Sequence, residues 1–281
     1  MLIAKKDDIK LIVCDLDGTL LNNQNEISDR TKRALLDCRA QGINLCFASG
    51  RSQNMLDLYE NILGGCDYVI SQNGAIITKG RDTLWKIPIQ PAPAAQVFDY
   101  IKSRQLQFII YTANKVYLTA NSPKLLQRFS NYTALALKHN FVAHFDLTEL
   151  EHNHPWPAIA DTFKIIVAEE DHEKARDYFD FIAQTVGVCA ESTGYGLVGV
   201  FDKTVSKKVA VLKVLADLNL TADNVCIFGD YDNDLSMFDC ATHKIAMGNA
   251  QQVLKDVATF VTYTNDNDGV AKYLELLLEN Y

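Results

Sequence analysis

Hydrophobic residues in the first third of the chain occur in short continuous runs that alternate with segments of helical spacing. The runs indicate buried strands over residues 10–14, 43–48 and 68–71. Between the runs, capping residues and apolar positions three or four apart predict helices over residues 31–40 and 52–62. Strands that alternate with helices in this way form parallel sheets with right-handed crossover connections.

The pattern changes at a proline-bearing segment, IPIQPAP at residues 87–93. Beyond it, helices are predicted over residues 94–102, 122–131 and 171–184. Strands are predicted over residues 107–112, 116–120, 162–168, 187–190 and 196–201. We therefore expect residues 83–190 to form an inserted α+β domain.

The alternating pattern returns after the insertion. A helix is expected to begin at Ser206, with apolar positions at Val209, Leu212, Leu215 and Ala216. Short strands are expected over residues 225–228, 244–247 and 259–262, and a final helix over residues 273–278. Residues 1–82 and 191–281 are thus predicted to form one discontinuous α/β core domain, so that strand ends far apart in sequence can meet in space.

The composition and net charge of the chain indicate which kinds of binding partner are not expected. The chain has 281 residues, 48% of them hydrophobic, and its 27 basic and 35 acidic side chains give a formal net charge of -8. Because there is no long basic run, nucleic acid is not an expected partner. No apolar stretch approaches the roughly 20 residues of a membrane span, so a membrane is not expected either.

The cysteines and the first residues of the chain indicate a compartment. Seven cysteines are scattered without any C-x-x-C spacing, and several lie inside apolar runs, as is typical of buried thiols in a reducing environment. The N-terminal residues lack the apolar core of a secretory signal. We therefore expect a cytoplasmic protein.

The first apolar run ends at two carboxylates, Asp15 and Asp17, followed by Gly18 and Thr19. In an open parallel sheet, chemistry lies just beyond the carboxyl ends of the strands. Two carboxylates there repel each other unless a metal or a shared proton neutralises them. The segment therefore predicts a divalent-metal site with one nucleophilic and one proton-handling carboxylate. The alternative is an Asx turn that closes the strand, with Gly18 supplying the bend.

A second acidic segment follows the strand predicted at residues 225–228. It contains Asp230, Asp232, Asn233 and Asp234. Carboxylate and amide oxygens are ligands for a hard cation, although their spacing does not match an EF-hand loop. The alternative is a solvated turn.

Two further segments are candidates for binding an anion. In the stretch ASGR at residues 48–51, the Ser49 hydroxyl and free backbone N–H groups stand where a helix begins, and such a place binds anions. An ordinary helix cap is the alternative. Lys207 lies in the first turn of a helix, where a cation is disfavoured unless it faces an anion. Its neighbour Lys208 is the competing candidate, and either could be a plain surface lysine.

Together and in this order, these segments resemble the signature motifs of the haloacid dehalogenase superfamily: D-x-D-G-T, a strand-end Ser or Thr, a Lys, and G-D-x-x-N-D. The insertion lies between the hydroxyl residue and the lysine, as in the Cof-like class IIB hydrolases with a C2B-type cap. Further stretches fit that subgroup, at residues 48–51, 71–75, 246–250 and 265–271. Ser49 stands where threonine is usual, and Lys208 where glycine often follows the lysine. The resemblance covers essentially the whole chain and implies a Rossmann-like parallel-sheet core with an inserted α+β cap.

The resemblance also implies a set of roles. Asp15 would attack phosphorus and form an aspartyl-phosphate, while Asp17 would protonate the leaving oxygen and later take a proton from water. Mg²⁺ would be held by the Asp15 carboxylate, the backbone carbonyl of Asp17 and Asp230, with Asp234 in or near its ligand shell. The phosphoryl oxygens would be held by Ser49, Gly50, Lys207 and Asn233.

These roles imply a phosphatase or a phosphomutase, since related transport ATPases carry threonine at the Asp17 position and dehalogenases lack the second acid. The expected substrates are small phosphorylated metabolites such as sugar phosphates, FMN or pyridoxal phosphate. A phosphohexomutase and a non-catalytic metabolite-binding protein are the alternatives. The cap would close over the site through hinges near residues 81–90 and 190–204, and the protein would be a monomer or a homodimer.

Overall fold

The computed structural model describes residues 8–113, 115–155, 161–169, 171–192 and 197–279. Contacts within the chain divide it into two compact units. The first unit combines Met1–Trp85 with Ser206–Tyr281, and the second is Lys86–Val205. The two ends of the chain therefore build one unit, and the middle builds another.

Strands and helices alternate at the start of the first unit, and a strand pair follows. The elements are β1 (Leu11–Cys14), α1 (Asp29–Ala40), β2 (Asn44–Ala48), α2 (Asp57–Ile62), β3 (Tyr68–Ser71), β4 (Ile76–Lys79) and β5 (Asp82–Lys86). Helix α1 begins where Ser28 Oγ accepts a hydrogen bond from Thr31 N, at 3.1 Å. This is the side-chain cap that satisfies one of the free N–H groups of a first turn.

The second unit is a mixed α+β structure. Its elements are α3 (Pro91–Ser103), β6 (Gln107–Thr112), β7 (Val116–Thr119), α4 (Pro123–Lys138), β8 (Leu147–Leu150), β9 (Thr162–Ala168), α5 (His172–Gln184), β10 (Val188–Ser192) and β11 (Leu197–Asp202). The strands form one sheet in the order β10-β11-β9-β6-β7-β8, in which only the β7/β8 pair is parallel. Phe98 of α3 and Tyr178 of α5 are buried in one apolar core with residues of β6, β9 and β11.

The alternation resumes when the chain returns to the first unit. The elements are α6 (Lys207–Leu218), β12 (Val225–Gly229), α7 (Asp232–Phe238), β13 (His243–Ala246), α8 (Gln252–Val257), β14 (Phe260–Val261) and α9 (Gly269–Glu279). The predicted α/β class is confirmed, since the sheet runs β14-β13-β12-β1-β2-β3-β4-β5 and is parallel from β14 to β3. None of the helices in the described part of the chain combines the length and the apolar character needed to cross a membrane.

Strand β1 lies at the point where the strand order reverses. Its Leu11 pairs with Asn44 of β2 on one side and with Val225 of β12 on the other. The two halves of the first unit therefore meet beside β1. In an open α/β sheet the crevice at such a reversal is the usual place for a ligand.

The unit boundaries differ from those expected at residues 82/83 and 190/191. Strand β5 continues the edge of the first sheet, so that the first unit extends to Trp85. At the other end, β10 and β11 form a hairpin that joins the second sheet, where Val200 pairs with Ile165 of β9. The second unit therefore ends at Val205, because backbone pairing keeps this hairpin with β9.

Of the four apolar positions noted on helix α6, only Leu215 is buried. Val209 and Leu212 are 37% and 47% exposed, whereas the buried stripe consists of Lys207, Ala210, Val211, Val214 and Leu215. Both stripes have helical spacing, and apolar residues occur on both. The stripe that packs inward is the one that contains a lysine.

Candidate active site

The carboxyl ends of β1 and β12 place two aspartates side by side. Asp15 follows β1, and its backbone N donates to Phe228 O of β12 at 3.1 Å. The chain then turns sharply, with Leu21 N donating to Leu16 O at 2.9 Å. Gly18 has a φ of +83°, and a Cβ there would lie 2.9 Å from the carboxylate carbon of Asp230. Glycine is needed here both for the backbone conformation and for the close approach.

Three buried carboxylates converge at this point. Oxygen atoms of Asp15, Asp230 and Asp234 all lie within 4.8 Å of one another. The three residues are 6%, 9% and 0% exposed. Carboxylates this close and this dry repel each other strongly unless a cation lies among them.

Lys207 supplies one such cation. Its Nζ donates to Asp15 Oδ1 at 2.6 Å and to Asp234 Oδ1 at 2.7 Å, and the residue is 1% exposed. Burial favours a neutral amine, but the two carboxylates outweigh it and raise the pKa of Lys207, so that the ammonium stays charged. Lys208 points elsewhere and pairs with Asp239 at the surface, at 2.8 Å.

Asp234 shapes the turn that carries Asp230. Its Oδ2 accepts from the backbone N of Asp230 at 2.9 Å and of Tyr231 at 3.1 Å. A Cβ on Gly229 would lie 2.7 Å from Asp234 Cβ, so that glycine permits this approach. Because Lys207 takes the other oxygen, Asp234 is committed mainly to holding the lysine and the backbone.

The electrostatics of the group favour an added cation. Burial raises the pKa of Asp15 well above its usual range, and Asp234 raises it further, while Lys207 opposes them. Burial likewise raises the pKa of Asp230 to about 7, with Thr19 opposing through an Oγ1 donor at 2.7 Å and Asp234 adding to the rise. One ammonium offsets one of three carboxylates. The all-oxygen donor set and the uncompensated charge both fit a hard divalent cation such as Mg²⁺.

The carboxylate of Asp17 lies outside this buried group. Arg51 binds it with both ends of its guanidinium, Nε to Oδ2 at 2.9 Å and Nη2 to Oδ1 at 2.6 Å. The Asp17 side chain is 55% exposed, whereas that of Arg51 is 13% exposed. The two carboxylates of the D-x-D pair thus have different environments, one dry and one partly solvated.

The remaining predicted phosphate-binding residues follow the ends of β2 and β12. Ser49 follows β2, is buried, and accepts a hydrogen bond from Arg51 N at 3.2 Å. Gly50 is half-buried beside it. Asn233 is half-buried in the first turn of α7, and within the described residues its side chain makes no hydrogen bond to the three carboxylates.

Contacts that sequence reasoning had not assigned hold the loop after β1. Asn249 Nδ2 donates to Gly18 O at 2.8 Å, and Asn265 Nδ2 donates to Leu21 O at 2.9 Å. Asn265 N also donates to Asn249 Oδ1 at 3.0 Å. The stretches at residues 246–250 and 265–271 therefore serve as a clamp on the loop, a role that only their shared asparagines hint at.

The start of the helix that carries Lys207 packs against the turn after β3. Gly74 has a φ of +108°, and a Cβ there would lie 2.8 Å from the carbonyl carbon of Ser206, the N-cap of α6. The turn after β3 therefore packs directly on the start of the helix that carries Lys207.

Comparison with known proteins gives the family. The model of the haloacid dehalogenase-like hydrolases matches residues 12–274, and the chain belongs to this family. The family that the sequence motifs resemble is thereby confirmed, and so is the prediction that the protein is a hydrolase.

Related proteins and solved structures align with almost the whole length of this chain. Phosphatase YwpJ of Bacillus subtilis is 25% identical and covers 96% of this chain and 100% of its own. The 5-amino-6-(5-phospho-D-ribitylamino)uracil phosphatase YitU of the same organism is 25% identical, covering 94% of this chain and 96% of its own. The structure of a haloacid dehalogenase-like hydrolase from B. subtilis aligns with a TM-score of 0.83 at 26% identity, over 96% of this chain and 100% of that one.

Proposed function

We propose that the protein is a Mg²⁺-dependent phosphatase that hydrolyses small phosphorylated metabolites through an aspartyl-phosphate. The observation that carries the proposal is the buried group of Asp15, Asp230 and Asp234 around the ammonium of Lys207. A binding protein has no need for three crowded carboxylates. A phosphoryl-transfer enzyme needs them to position the reacting groups and to neutralise charge.

Asp15 is the proposed nucleophile. Lys207 binds its Oδ1, which leaves Oδ2 to attack phosphorus. As the bond from Oδ2 to phosphorus forms, the bond from phosphorus to the leaving oxygen breaks, and that oxygen takes a proton from Asp17. Water then attacks the aspartyl-phosphate, gives its proton to Asp17, and releases inorganic phosphate and the original carboxylate.

Lys207 is the proposed electrostatic partner of the transferred group. Because it is buried and held by two carboxylates, it needs little reorganisation when charge develops on the phosphoryl oxygens. Ser49, Gly50 and Asn233 are proposed as further donors to those oxygens.

The carboxylates of Asp15 and Asp230 and the backbone carbonyl of Asp17 would hold Mg²⁺, with Asp234 beside them. When bound, the metal would neutralise charge on the phosphoryl oxygens and on the crowded carboxylates. Asp234 would then act mainly through Lys207 and the turn at Asp230, since its oxygens already accept three hydrogen bonds.

The proposed substrate class is a phosphate monoester of a small polar metabolite. YitU and two other B. subtilis relatives are named for a ribitylamino-uracil phosphate. That name supports including this compound and FMN, which also carries a ribityl phosphate, among the candidates, beside sugar phosphates and pyridoxal phosphate.

The test is phosphate release from this panel and from p-nitrophenyl phosphate, with Mg²⁺ and with EDTA, by the wild type, Asp15→Asn and Asp239→Asn. Asp239→Asn is the matched control, because Asp239 pairs with Lys208 as Asp15 pairs with Lys207. We expect Mg²⁺-dependent release that Asp15→Asn abolishes and Asp239→Asn retains. Turnover by Asp15→Asn would contradict the proposal. An isomerised sugar phosphate without release would indicate the mutase instead.

A further inference from the structure

Arg51 is held in a fixed orientation by three partners besides solvent. Four of its five N–H donors are used: Nε and Nη2 by Asp17, Nη2 again by Asn25 Oδ1 at 3.1 Å, and Nη1 by Tyr59 Oη at 3.0 Å. The guanidinium also lies over the Tyr59 ring, with Cζ 5.3 Å from its centroid. A side chain bound on this many sides loses most of its rotamer freedom.

The partners of Arg51 are themselves fixed. Tyr59 is fully buried in α2, and its Oη donates to Asn25 O at 3.0 Å. Asn25 stands in a tight loop in which Asn22 Oδ1 accepts from the backbone N of Gln24 and of Glu26, both at 3.0 Å. Arg51 O accepts from Gln72 N at 2.9 Å, which ties its backbone to the end of β3. The contacts with Tyr59, Asn25 and Gln72 therefore orient the Arg51 guanidinium independently of its bonds to Asp17.

We infer that Arg51 is a positioning residue that fixes the carboxyl group of Asp17 for proton transfer. This inference rests on the proposed function, in which Asp17 is the general acid and base. The Asp17 side chain is the more exposed partner of the pair and needs an external constraint, because the loop after β1 leaves it at the surface. A proton donor must lie within hydrogen-bond reach of the leaving oxygen, and small misplacements are costly.

The bidentate geometry is compatible with proton transfer. A carboxylate has about four lone-pair positions on its two oxygens, and the two bonds from Arg51 occupy one on each. One position on each oxygen is therefore left for a proton or a water molecule. Only a planar fork fixes both oxygens at once, so that a lysine at residue 51 would keep the charge but not the orientation.

The experiment uses the dependence of rate on the leaving group. The p-nitrophenolate group leaves readily without a proton, whereas an alkoxide leaves poorly without one. We measure kcat and KM for p-nitrophenyl phosphate and for the best alkyl phosphate of the panel, using the full-length wild type, Arg51→Met, Arg51→Lys, Tyr59→Phe and Asp17→Asn. Arg30→Met is the matched control, because Arg30 in the same unit donates through Nε and Nη2 to the two carboxylate oxygens of Glu275.

We expect Asp17→Asn to lose about 10²- to 10⁴-fold in kcat/KM on the alkyl phosphate and much less on p-nitrophenyl phosphate, because kcat/KM covers only the steps up to departure of the leaving group. Arg51→Met should lose about 10- to 100-fold in kcat/KM on the alkyl phosphate alone. Arg51→Lys should stay closer to Arg51→Met than to the wild type. Tyr59→Phe should show a smaller loss in the same direction, and Arg30→Met none. Turnover of p-nitrophenyl phosphate reports that each variant is folded.

Three results would overturn the inference. Equal losses of kcat/KM on both substrates in Arg51→Met would mean a general structural role, and full rescue by lysine would mean that charge alone matters. An unselective loss of kcat/KM in Asp17→Asn would remove the acid role of Asp17 and this inference with it. Failure of the proposed function itself is recognised separately, as absence of phosphate release by the wild type on any substrate.

Discussion

Lys207 and Lys208 are sequence neighbours with opposite surroundings. Lys207 is enclosed between Asp15 and Asp234, while Lys208 lies at the surface beside Asp239. The difference follows from their positions on α6, since only the first of them stands on the inward stripe. A lysine is tolerated there because two carboxylates compensate its charge.

The backbone at Gly18 also shapes this site. Its φ of +83° and the Asp230 carboxylate at the place of a Cβ exclude a side chain. Gly42 has a similar φ of +79°, but nothing lies within 4 Å of a Cβ there. Alanine at residue 42 would introduce backbone strain alone, whereas alanine at residue 18 would introduce similar strain and also displace Asp230. Comparing the two variants therefore isolates the effect of displacing Asp230.

We predict that Gly18→Ala loses phosphatase activity and that Gly42→Ala keeps it. The unfavourable φ should cost each variant about 1 kcal/mol of unfolding free energy, measured in urea, and Gly18→Ala should lose more because its Cβ meets the Asp230 carboxylate. Steady-state turnover of p-nitrophenyl phosphate gives the comparison. If Gly18→Ala were as active as Gly42→Ala, the close approach of the loop to Asp230 would have no functional meaning.

At the residue scale, the sequence was sufficient to find the acidic strand ends but not their partners. Asp15 and Asp230 could be anticipated because each follows an apolar run and an aspartate there is chemically conspicuous. The bidentate bond from Arg51 to Asp17 could not, since it depends on where the loop at Asn25 lies. An arginine in a polar turn carries no signal of its own.

Among the elements, those with strong apolar character were predicted close to their observed bounds. Strands β3, β6 and β9 coincide with prediction, and β1 and β2 each differ by one residue. Short or exposed elements were not identified: β4, β5, β8, α7 and α8. Strand β5 shows the reason, because all of its side chains are exposed and leave no alternation to detect. Its place in the sheet is an outcome of pairing rather than of burial.

Helix α6 gives a quantitative test of which stripe faces the core. Leu212 is 47% exposed and Leu215 is 5% exposed, although the sequence pattern treated them alike. We predict that Leu215→Ala costs about 2–5 kcal/mol of unfolding free energy. Leu212→Ala should cost less than about 0.5 kcal/mol. Urea unfolding of both variants gives these free energies. Similar losses of unfolding free energy in the two variants would show that the assigned inward face is wrong.

At the scale of the whole molecule, the discontinuous first unit explains the order of the motifs along the chain. Strands β1 and β12 are adjacent in the sheet, although more than 200 residues separate Leu11 from Val225, which pair directly. The chain carries a second unit between these two strands in sequence. The exact boundaries could not be read from the sequence, because the pairing of β11 with β9 is a non-local property.

The central claim is that Asp15 becomes phosphorylated during turnover. The most direct measurement is the mass of peptides from Asp17→Asn after the variant has been mixed with p-nitrophenyl phosphate and Mg²⁺ and quenched rapidly in acid. The account predicts one added phosphoryl group on the peptide that contains Asp15, because slow loss of the proton from water prolongs the life of the aspartyl-phosphate. Substrate turnover with no phosphorylated Asp15 at any time, or a phosphoryl group on another residue, would contradict it.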